Sequence, residues 1–216
     1  MDIAIIGAGN VGAALATAAH RAGHTVIIAS RDPEDSGKVA ASTGATVAAS
    51  NAEAATAGAV VILAVPASSF ADLAAEIGDA VTGKPVVDVS NRMAFGANGP
   101  DIDTSSSNAE DLAALLPEAH VVKAFNTLFA TNQADPIVEG VQLDGYVAGD
   151  DPEAKAVVLE LVRSFGLDPI DVGSLARSRQ LEALAFLNIT LNIAHQGSWQ
   201  SGWKLVAAPA TLPEAA

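Results

Sequence analysis

Short apolar runs alternate with longer alanine- and leucine-rich segments along the first half of the chain. The runs are near-continuous stretches of Val, Ile and Ala, which is typical of strands buried on both faces, and the segments between them have the length of helices. The predicted strands are residues 3–6, 25–29, 46–48, 60–64 and 85–89. The predicted helices between them are residues 11–22, 35–42, 51–57 and 70–80.

A polar segment then interrupts the pattern at residues 90–107, which are rich in Gly, Asn, Asp and Ser. It has no apolar period, so we predict a long functional or mobile loop. Further β/α pairs follow, with helices at 108–116, 152–165 and 175–197 and strands at 121–124, 146–148 and 169–172. We predict a frayed tail from Ala207.

The last predicted helix is apolar around most of its circumference, which is typical of a buried helix. We therefore predict that it makes a homodimer. The whole pattern predicts an α/β fold, with a Rossmann-type doubly wound, mostly parallel sheet and a smaller C-terminal α/β extension ending in this long apolar helix. We predict a nucleotide-binding domain at residues 1–125 and a smaller cap and dimerisation segment at residues 126–216.

Composition narrows the class of protein. Half of the 216 residues are hydrophobic and 4% are aromatic, so the core is built mostly from Ala, Val, Leu and Ile. The formal charge of -14 disfavours nucleic acid and anionic membranes as partners. The chain has no cysteine, which excludes thiolate catalysis and zinc-thiolate sites. No apolar run approaches the ~20 residues that span a bilayer, and we expect a cytoplasmic protein with no metal site.

Three glycines follow the first predicted strand in a G-x-G-x-x-G pattern. Gly7 permits a sharp turn, Gly9 lets the backbone approach a pyrophosphate, and Gly12 lets the helix pack on the sheet. Backbone N–H groups near Asn10 and Val11 would then face the phosphates. The pattern alone also fits an ordinary tight turn, but the flanking strand and helix favour a dinucleotide.

The end of the second strand distinguishes NAD from NADP. An acid there accepts from the ribose 2′-OH of NAD, whereas this chain has Ser30 and Arg31. A guanidinium binds a 2′-phosphate bidentately, so we predict NADP(H) as cofactor, with Lys38 as a second cation. The alternative is a Ser30 that caps a turn and a solvated Arg31.

The nicotinamide end of the cofactor is expected beyond the fourth and fifth strands, since dinucleotides cross the carboxyl ends of a Rossmann sheet. The candidate residues are Ala64, Val65, Pro66, Ser69, Ser90 and Asn91. Pro66 as a strand terminator and Ser69 as a helix cap are equally open interpretations.

Several longer motifs are similar to those of known protein families. They are GAGNVG, ASR, LAVP, VDVSN and above all VKAFNT at residues 122–127. With them the chain resembles the F420-dependent NADP oxidoreductase family, and also the cytosolic domain of the six-transmembrane metalloreductases, from residue 1 to about residue 194. The resemblance implies an NADPH-dependent oxidoreductase that transfers a hydride between NADPH and a flavin-like ring, either the deazaflavin coenzyme F420 or a flavin. It assigns cofactor binding to Gly9, Asn10, Val11, Ser30, Arg31, Lys38, Val65 and Pro66.

The VKAFNT motif extends these assignments. Ala124 and Asn126 are expected at the cofactor, and the acceptor pocket is expected to contain Asn91, Phe125, Asn126, Thr127 and Leu128. Ser69 stands where the archaeal deazaflavin enzymes have a histidine, and residues 125–127 stand where they have a His-Thr pair. The acceptor therefore stays open between F420 and a flavin or ferric system. No catalytic side chain is assigned, because hydride transfer between two rings depends on orientation and exclusion of water.

Two other functions are compatible with a nucleotide-binding turn. One is a dehydrogenase or imine reductase related to the β-hydroxyacid dehydrogenases, although those enzymes have a larger helical second domain. The other is a non-enzymatic NADP(H) sensor that binds a partner according to redox state.

Overall fold

The computed structural model describes residues 1–96 and 99–207. The strands in these ranges are β1 (Asp2–Ile6), β2 (Thr25–Ala29), β3 (Thr46–Val47), β4 (Val60–Leu63), β5 (Pro85–Asp88), β6 (Ala94–Gly96), β7 (Gly99–Asp101), β8 (His120–Lys123), β9 (Ile137–Val138), β10 (Val141–Gln142), β11 (Asp144–Gly149) and β12 (Asp168–Gly173). The α-helices are α1 (Asn10–Arg21), α2 (Pro33–Thr43), α3 (Asn51–Ala57), α4 (Phe70–Ile77), α5 (Asn108–Leu115), α6 (Ala130–Ala134), α7 (Pro152–Ser164) and α8 (Ser178–His195). Beyond Ala207, the predicted frayed tail lies outside the described residues.

Eight of the described strands form one sheet in the order β12-β11-β8-β5-β4-β1-β2-β3. Neighbours are parallel except β11, which runs antiparallel to β8. From β1 the chain extends outward through β2 and β3 and then returns to β4 on the other side. The carboxyl ends of β1 and β4 therefore flank the switch point where such sheets bind ligands. The predicted Rossmann-type fold is confirmed, and the sheet continues across residue 125.

The side chains of β1 show how the core is divided between the two faces of the sheet. Ile3 and Ile5 join one cluster with Leu15 of α1, whereas Ala4 and Ile6 join a second cluster beneath α3, α4 and α5. None of the four β1 residues is more than 1% exposed. Burial of each isoleucine contributes about 1.5–3 kcal/mol to folding, so this strand is fixed by apolar contacts on both faces.

The segment at residues 90–107 contains regular structure that the hydrophobic pattern does not predict. β6 and β7 pair antiparallel, with Ala94 opposite Asp101, so the expectation of an uninterrupted loop was wrong. The short elements α6, β9 and β10 were also missed. Each spans at most five residues, which is too short to display a helical or strand period.

Helix α8 buries a partly polar face. Its buried residues are Ser178, Leu181, Glu182, Ala185, Asn188 and Asn192, and Asn192 Nδ2 donates to Ser201 Oγ at 2.7 Å. Leu187, Leu191 and Ile193 are instead 44–47% exposed. The single chain thus covers one face of α8 and leaves apolar side chains on another. In the described ranges, no helix combines the length and hydropathy needed to cross a bilayer.

Candidate functional site

The turn between β1 and α1 needs glycine at two positions for steric reasons. Gly7 has a φ of +110°, and a Cβ there would lie 2.2 Å from the carbonyl oxygen of Ala64. A Cβ on Gly12 would lie 1.9 Å from the carbonyl oxygen of Gly7. A Cβ on Gly9 would meet no atom within 4 Å. Gly7 and Gly12 therefore close the turn, whereas Gly9 borders open space.

Two clefts meet at Gly9 and Asn10. The first, of about 640 Å³, lies beyond the carboxyl ends of β1, β4 and β5, and is lined by Gly9, Asn10, Val11, Ala64, Val65, Pro66, Ala67, Ser68, Val89, Ser90, Asn91, Arg92, Met93 and Asn108. The second, of about 410 Å³, lies toward α2 and is lined by Ala8, Gly9, Asn10, Ala13, Asp35, Lys38, Val39 and Ser42. Together they extend across the switch point, where a dinucleotide binds in this type of sheet.

The N-terminus of α1 opens onto both clefts. Within the described α1, no side chain caps the first turn and none of its first residues is acidic. The N–H groups of Asn10 and Val11 precede the first intrahelical donors, because Ala13 N donates to Gly9 O at 2.9 Å. Free N–H groups and the positive end of the helix dipole favour an anion here.

The loop after β2 presents a guanidinium without an acidic partner. Arg31 is exposed and forms no ion pair within the described part of the chain. Asp32, which follows it, accepts from Glu34 N at 2.9 Å and so caps α2. Ser30 Oγ donates to Asp32 O at 2.6 Å and lies 2.6 Å from Ser36 Oγ. Asp32 thus caps α2 instead of pairing with Arg31, and Arg31 is available to bind an external anion.

Lys38 lines the cleft toward α2, but it already has acidic neighbours. Its Nζ lies 3.0 Å from Glu34 and 3.2 Å from Asp35, and these two carboxylates raise the pKa of Lys38. Such exposed pairs are weak, so the ammonium can turn toward a ligand at little cost. Of the two predicted cations, Arg31 lacks a competing carboxylate among the described residues, whereas Lys38 is the one that lines a cleft.

The predicted wall residues are mostly brought together. Ala64, Val65 and Pro66 line the larger cleft, but Ser68 occupies the place expected for Ser69. Ser69 is the N-cap residue of α4, although its side chain makes no capping hydrogen bond.

The opposite wall includes three residues that sequence reasoning missed, Arg92, Met93 and Asn108. They belong to the polar segment after β5 and to the start of α5, where no local pattern indicates a position at the cleft.

Asn91, at the wall of the larger cleft, is joined to Asn126 by reciprocal hydrogen bonds. Asn91 Nδ2 donates to Asn126 O at 2.9 Å, and Asn126 Nδ2 donates to Asn91 Oδ1 at 2.8 Å. Asn126 Oδ1 is buried and has no hydrogen-bond partner among the described residues. With Thr127 and Leu128, the two asparagines line a cavity of about 40 Å³. Asn126 thus belongs to this small cavity, and of the two asparagines Asn91 also lines the larger cleft.

Two residues of the expected acceptor pocket and cofactor site lie in the core instead. Phe125 is 1% exposed and stacks on Phe165 with ring centroids 5.3 Å apart. Ala124 is fully buried in the same cluster. Phe125 has a φ of 60°, a left-handed conformation that is uncommon for a bulky residue. This turn directs Phe125 inward and sets Asn126 beside Asn91.

A buried ion cluster lies behind the wall at residues 90–92. Lys123 Nζ is 2.6 Å from Asp88 Oδ2, 2.6 Å from Glu182 Oε1 and 2.7 Å from the carbonyl oxygen of Ser90. The three charged side chains are at most 1% exposed. Asp88 and Lys123 could have been noticed in the sequence, because each is a charged residue at the end of an apolar strand. Glu182 comes from a distant helix, and no such pattern marks it.

Histidine and carboxylate groups do not converge on a metal position. Across residues 1–96 and 99–207, no group of three His, Asp or Glu side chains is arranged to hold a metal ion. His24, for example, lies 2.9 Å from Ser164 Oγ, and burial and the N-terminal ammonium lower its pKa.

Comparison with known proteins identifies the family. Residues 2–92 match the family model described as NADP oxidoreductase coenzyme F420-dependent. The chain is 34% identical to the F420-dependent NADP reductase of Methanothermobacter thermautotrophicus, over 91% of each chain. A crystal structure of a putative F420-dependent NADP reductase from Arthrobacter superposes with a TM-score of 0.84 at 30% identity, covering 95% of this chain and 99% of that one.

This chain belongs to the F420-dependent NADP oxidoreductase family. The resemblance expected from the VKAFNT and glycine motifs is confirmed, and so is the prediction of an NADPH-dependent oxidoreductase at the level of the family. The chain is also 34% identical to the metalloreductase STEAP3 of Rattus norvegicus, over 84% of this chain and 36% of that protein. It thus spans about a third of the length of the curated metalloreductases that it matches.

The crevice of this family member fits the NADP(H) that the family name implies. The space beside Gly9 accommodates a group against the backbone, and the uncapped α1 terminus and Arg31 suit phosphates. The residues present therefore complement the phosphates of the dinucleotide.

Proposed function

We propose that this chain transfers a hydride between NADPH and a flavin-like acceptor, with the deazaflavin coenzyme F420 as the acceptor. The observation that carries the proposal is the pair of clefts joined at Gly9 and Asn10, which extends from Lys38 on α2 to Asn91 after β5. Its length and its uncapped helix terminus suit a dinucleotide better than a small metabolite.

The adenosine end would be held by fixed donors. The N–H groups of Asn10 and Val11 would bind the pyrophosphate, and Gly9 lets the backbone approach it. Arg31 would bind the 2′-phosphate bidentately, with Lys38 turning from Glu34 to assist. These donors allow an acidic protein to bind an anionic cofactor.

The nicotinamide end would be oriented by the two strand-end walls. Val65 and Pro66 form one wall, and Ser90 and Asn91 form the other. When bound, NADPH supplies the hydride. The chain's residues need to hold the two rings in contact and exclude water, and no proton-transferring side chain is required.

The acceptor is identified by anaerobic NADPH oxidation with F420, FMN, FAD and riboflavin supplied separately. We expect turnover with F420 at a rate well above that with the three flavins. Faster turnover with a flavin would support the second candidate, an NADPH-dependent flavin or ferric reductase, which the identity to a metalloreductase favours. Tight NADPH binding without transfer to any ring would support a redox sensor instead.

Arg31→Ala tests the selection of NADP over NAD. The dissociation constant for NADPH should rise about tenfold or more, because a charge-assisted contact is worth roughly 1.5–3 kcal/mol. NADH affinity should stay nearly unchanged, since NADH has no 2′-phosphate. Titration of intrinsic and cofactor fluorescence measures both constants.

Arg163→Ala is the matched control for Arg31→Ala. It removes the same charge from the end of α7, where the neighbouring Ser164 contacts His24 just before β2, at the amino ends of the strands and so away from the clefts. Its own partner is the exposed Glu160. Equal loss of NADPH and NADH affinity in Arg31→Ala would contradict the 2′-phosphate role.

We also propose that α8 forms a homodimer through its exposed apolar residues Leu187, Leu191 and Ile193. Light scattering at micromolar concentration should give twice the monomer mass. The double variant Leu187→Glu, Leu191→Glu should be monomeric, because charges would be buried in the interface. Leu115→Glu, at an equally exposed leucine on α5, should leave the dimer intact, and a monomeric native protein would reject the proposal.

We propose a boundary near residue 125 between the NADP-binding domain and the smaller segment that carries α8. We also propose a cytoplasmic location, where NADPH is available to the enzyme.

A further inference from the structure

The cluster of Asp88, Lys123 and Glu182 contains two carboxylates and one ammonium. Every carboxylate oxygen accepts a hydrogen bond. Asp88 Oδ1 accepts from Ser90 N at 2.8 Å and Oδ2 from Lys123 at 2.6 Å. Glu182 Oε2 accepts from Arg92 N at 3.0 Å, and Oε1 accepts from Asn108 N at 2.9 Å and from Lys123. Each carboxylate oxygen is thus contacted by a backbone N–H or by the Lys123 ammonium, an arrangement that suits one excess negative charge.

The charged side chains nearby do not cancel this excess. Arg92 is paired with Asp111 at 2.6 Å, and Arg179 is paired with Glu110 at 2.7 Å. The N-terminus of α5 at Asn108 contributes a partial positive charge of about one half. A net negative charge therefore remains in the buried cluster. Burial raises the pKa of Glu182, whereas the Lys123 ammonium and the Arg92 N–H oppose that rise.

The cluster lies directly behind one wall of the larger cleft. Its hydrogen bonds end on the carbonyl oxygen and N–H of Ser90 and on the N–H of Arg92, and both residues line the cleft. The side chains of Asp88, Lys123 and Glu182 are inaccessible to solvent. Buried charge is screened less than surface charge, so its field reaches the cleft.

We propose that the negative charge of this cluster makes the nicotinamide end of the cleft bind NADP⁺ more tightly relative to NADPH. Glu182 is the positioning residue whose charge produces this preference. The inference rests on the proposed NADP(H) function. The nicotinamide ring is cationic in NADP⁺ and neutral in NADPH, so a nearby negative charge stabilises the oxidised form selectively. Tighter binding of NADP⁺ relative to NADPH makes the bound reduced cofactor a stronger hydride donor.

Glu182→Gln tests the proposal in the acceptor-free protein. Glutamine keeps the length of the side chain and one acceptor oxygen but removes the charge. The ratio of the dissociation constants for NADP⁺ and NADPH, measured by calorimetry, should rise about threefold or more, because NADP⁺ binding weakens selectively. Glu160→Gln removes one charge from an exposed position on α7 and should leave the ratio unchanged.

A structural role alone would weaken both cofactors equally, so an unchanged ratio in Glu182→Gln overturns the proposal. Asp88→Asn removes the other carboxylate and should shift the ratio in the same direction, and it decides the question if Glu182→Gln does not fold. Failure of the native protein to bind either cofactor would instead reject the proposed function itself.

Discussion

Gly12→Ala is expected to raise the dissociation constant for NADPH by a factor of about 100 or more, equivalent to roughly 2.7 kcal/mol. The added Cβ would lie 1.9 Å from the carbonyl oxygen of Gly7 and 2.9 Å from its carbonyl carbon. Backbone atoms cannot yield as a flexible side chain does, so α1 must move away from the turn. The helix terminus then no longer faces the pyrophosphate. NADPH titration measures the loss, and urea unfolding measures the accompanying loss of stability.

Two other glycines provide matched controls for this prediction. Gly37→Ala on α2 adds a methyl group that meets no atom within 4 Å, and it should preserve both binding and stability. Gly9→Ala also meets no protein atom, and its φ of -73° suits alanine, so stability should be preserved. NADPH affinity should nevertheless fall, because the methyl group projects into the space beside the proposed pyrophosphate. Native-like affinity in Gly12→Ala would contradict the assigned geometry.

Lys123→Met is expected to lower the free energy of unfolding by about 3–5 kcal/mol, the usual effect of removing one partner of a buried ion pair. The variant leaves Asp88 and Glu182 buried with no cation in contact with them. Methionine fills a similar volume, so loss of packing is a minor contribution. Urea unfolding at neutral pH measures the change.

The pH dependence of the Lys123→Met effect follows from the pKa of Glu182. Burial already raises that pKa above its ordinary value of 4.5, and Lys123 opposes the rise. Without Lys123 the folded state binds the Glu182 proton more tightly than the unfolded state does. The variant should therefore be least destabilised below pH 4.5, and its deficit should grow as the pH rises through the folded-state pKa.

The double variant Lys123→Met, Glu182→Gln is the control for charge. It removes the ammonium and one carboxylate together, so part of the lost stability should return. Lys38→Met, at an exposed lysine of α2, should have little effect on unfolding. If the lowered free energy of unfolding of Lys123→Met did not depend on pH, the cause would be lost packing rather than unbalanced charge.

Residues of the candidate site that are close together in the sequence could be assigned from local spacing. Gly7, Gly9 and Gly12 lie in one turn, and Arg31 comes two residues after the next strand. The VKAFNT motif was harder to interpret. It contains Asn126, which pairs with Asn91, but the positive φ of Phe125 turns that side chain into the core, and a local pattern does not encode this reversal.

The sequence by itself determined the order of the longer strands and helices, the Rossmann-type sheet and the glycine turn, because these depend on local periodicity and on steric demands within a few residues. Only the tertiary structure decided the contacts among Asp88, Lys123 and Glu182, the Asn91 and Asn126 pair and the apolar face of α8. Asp88 and Lys123 are 35 positions apart, as are Asn91 and Asn126. Such pairs meet because β5 and β8 are neighbours in the sheet and Glu182 of α8 reaches Lys123 of β8, an arrangement that no local pattern specifies.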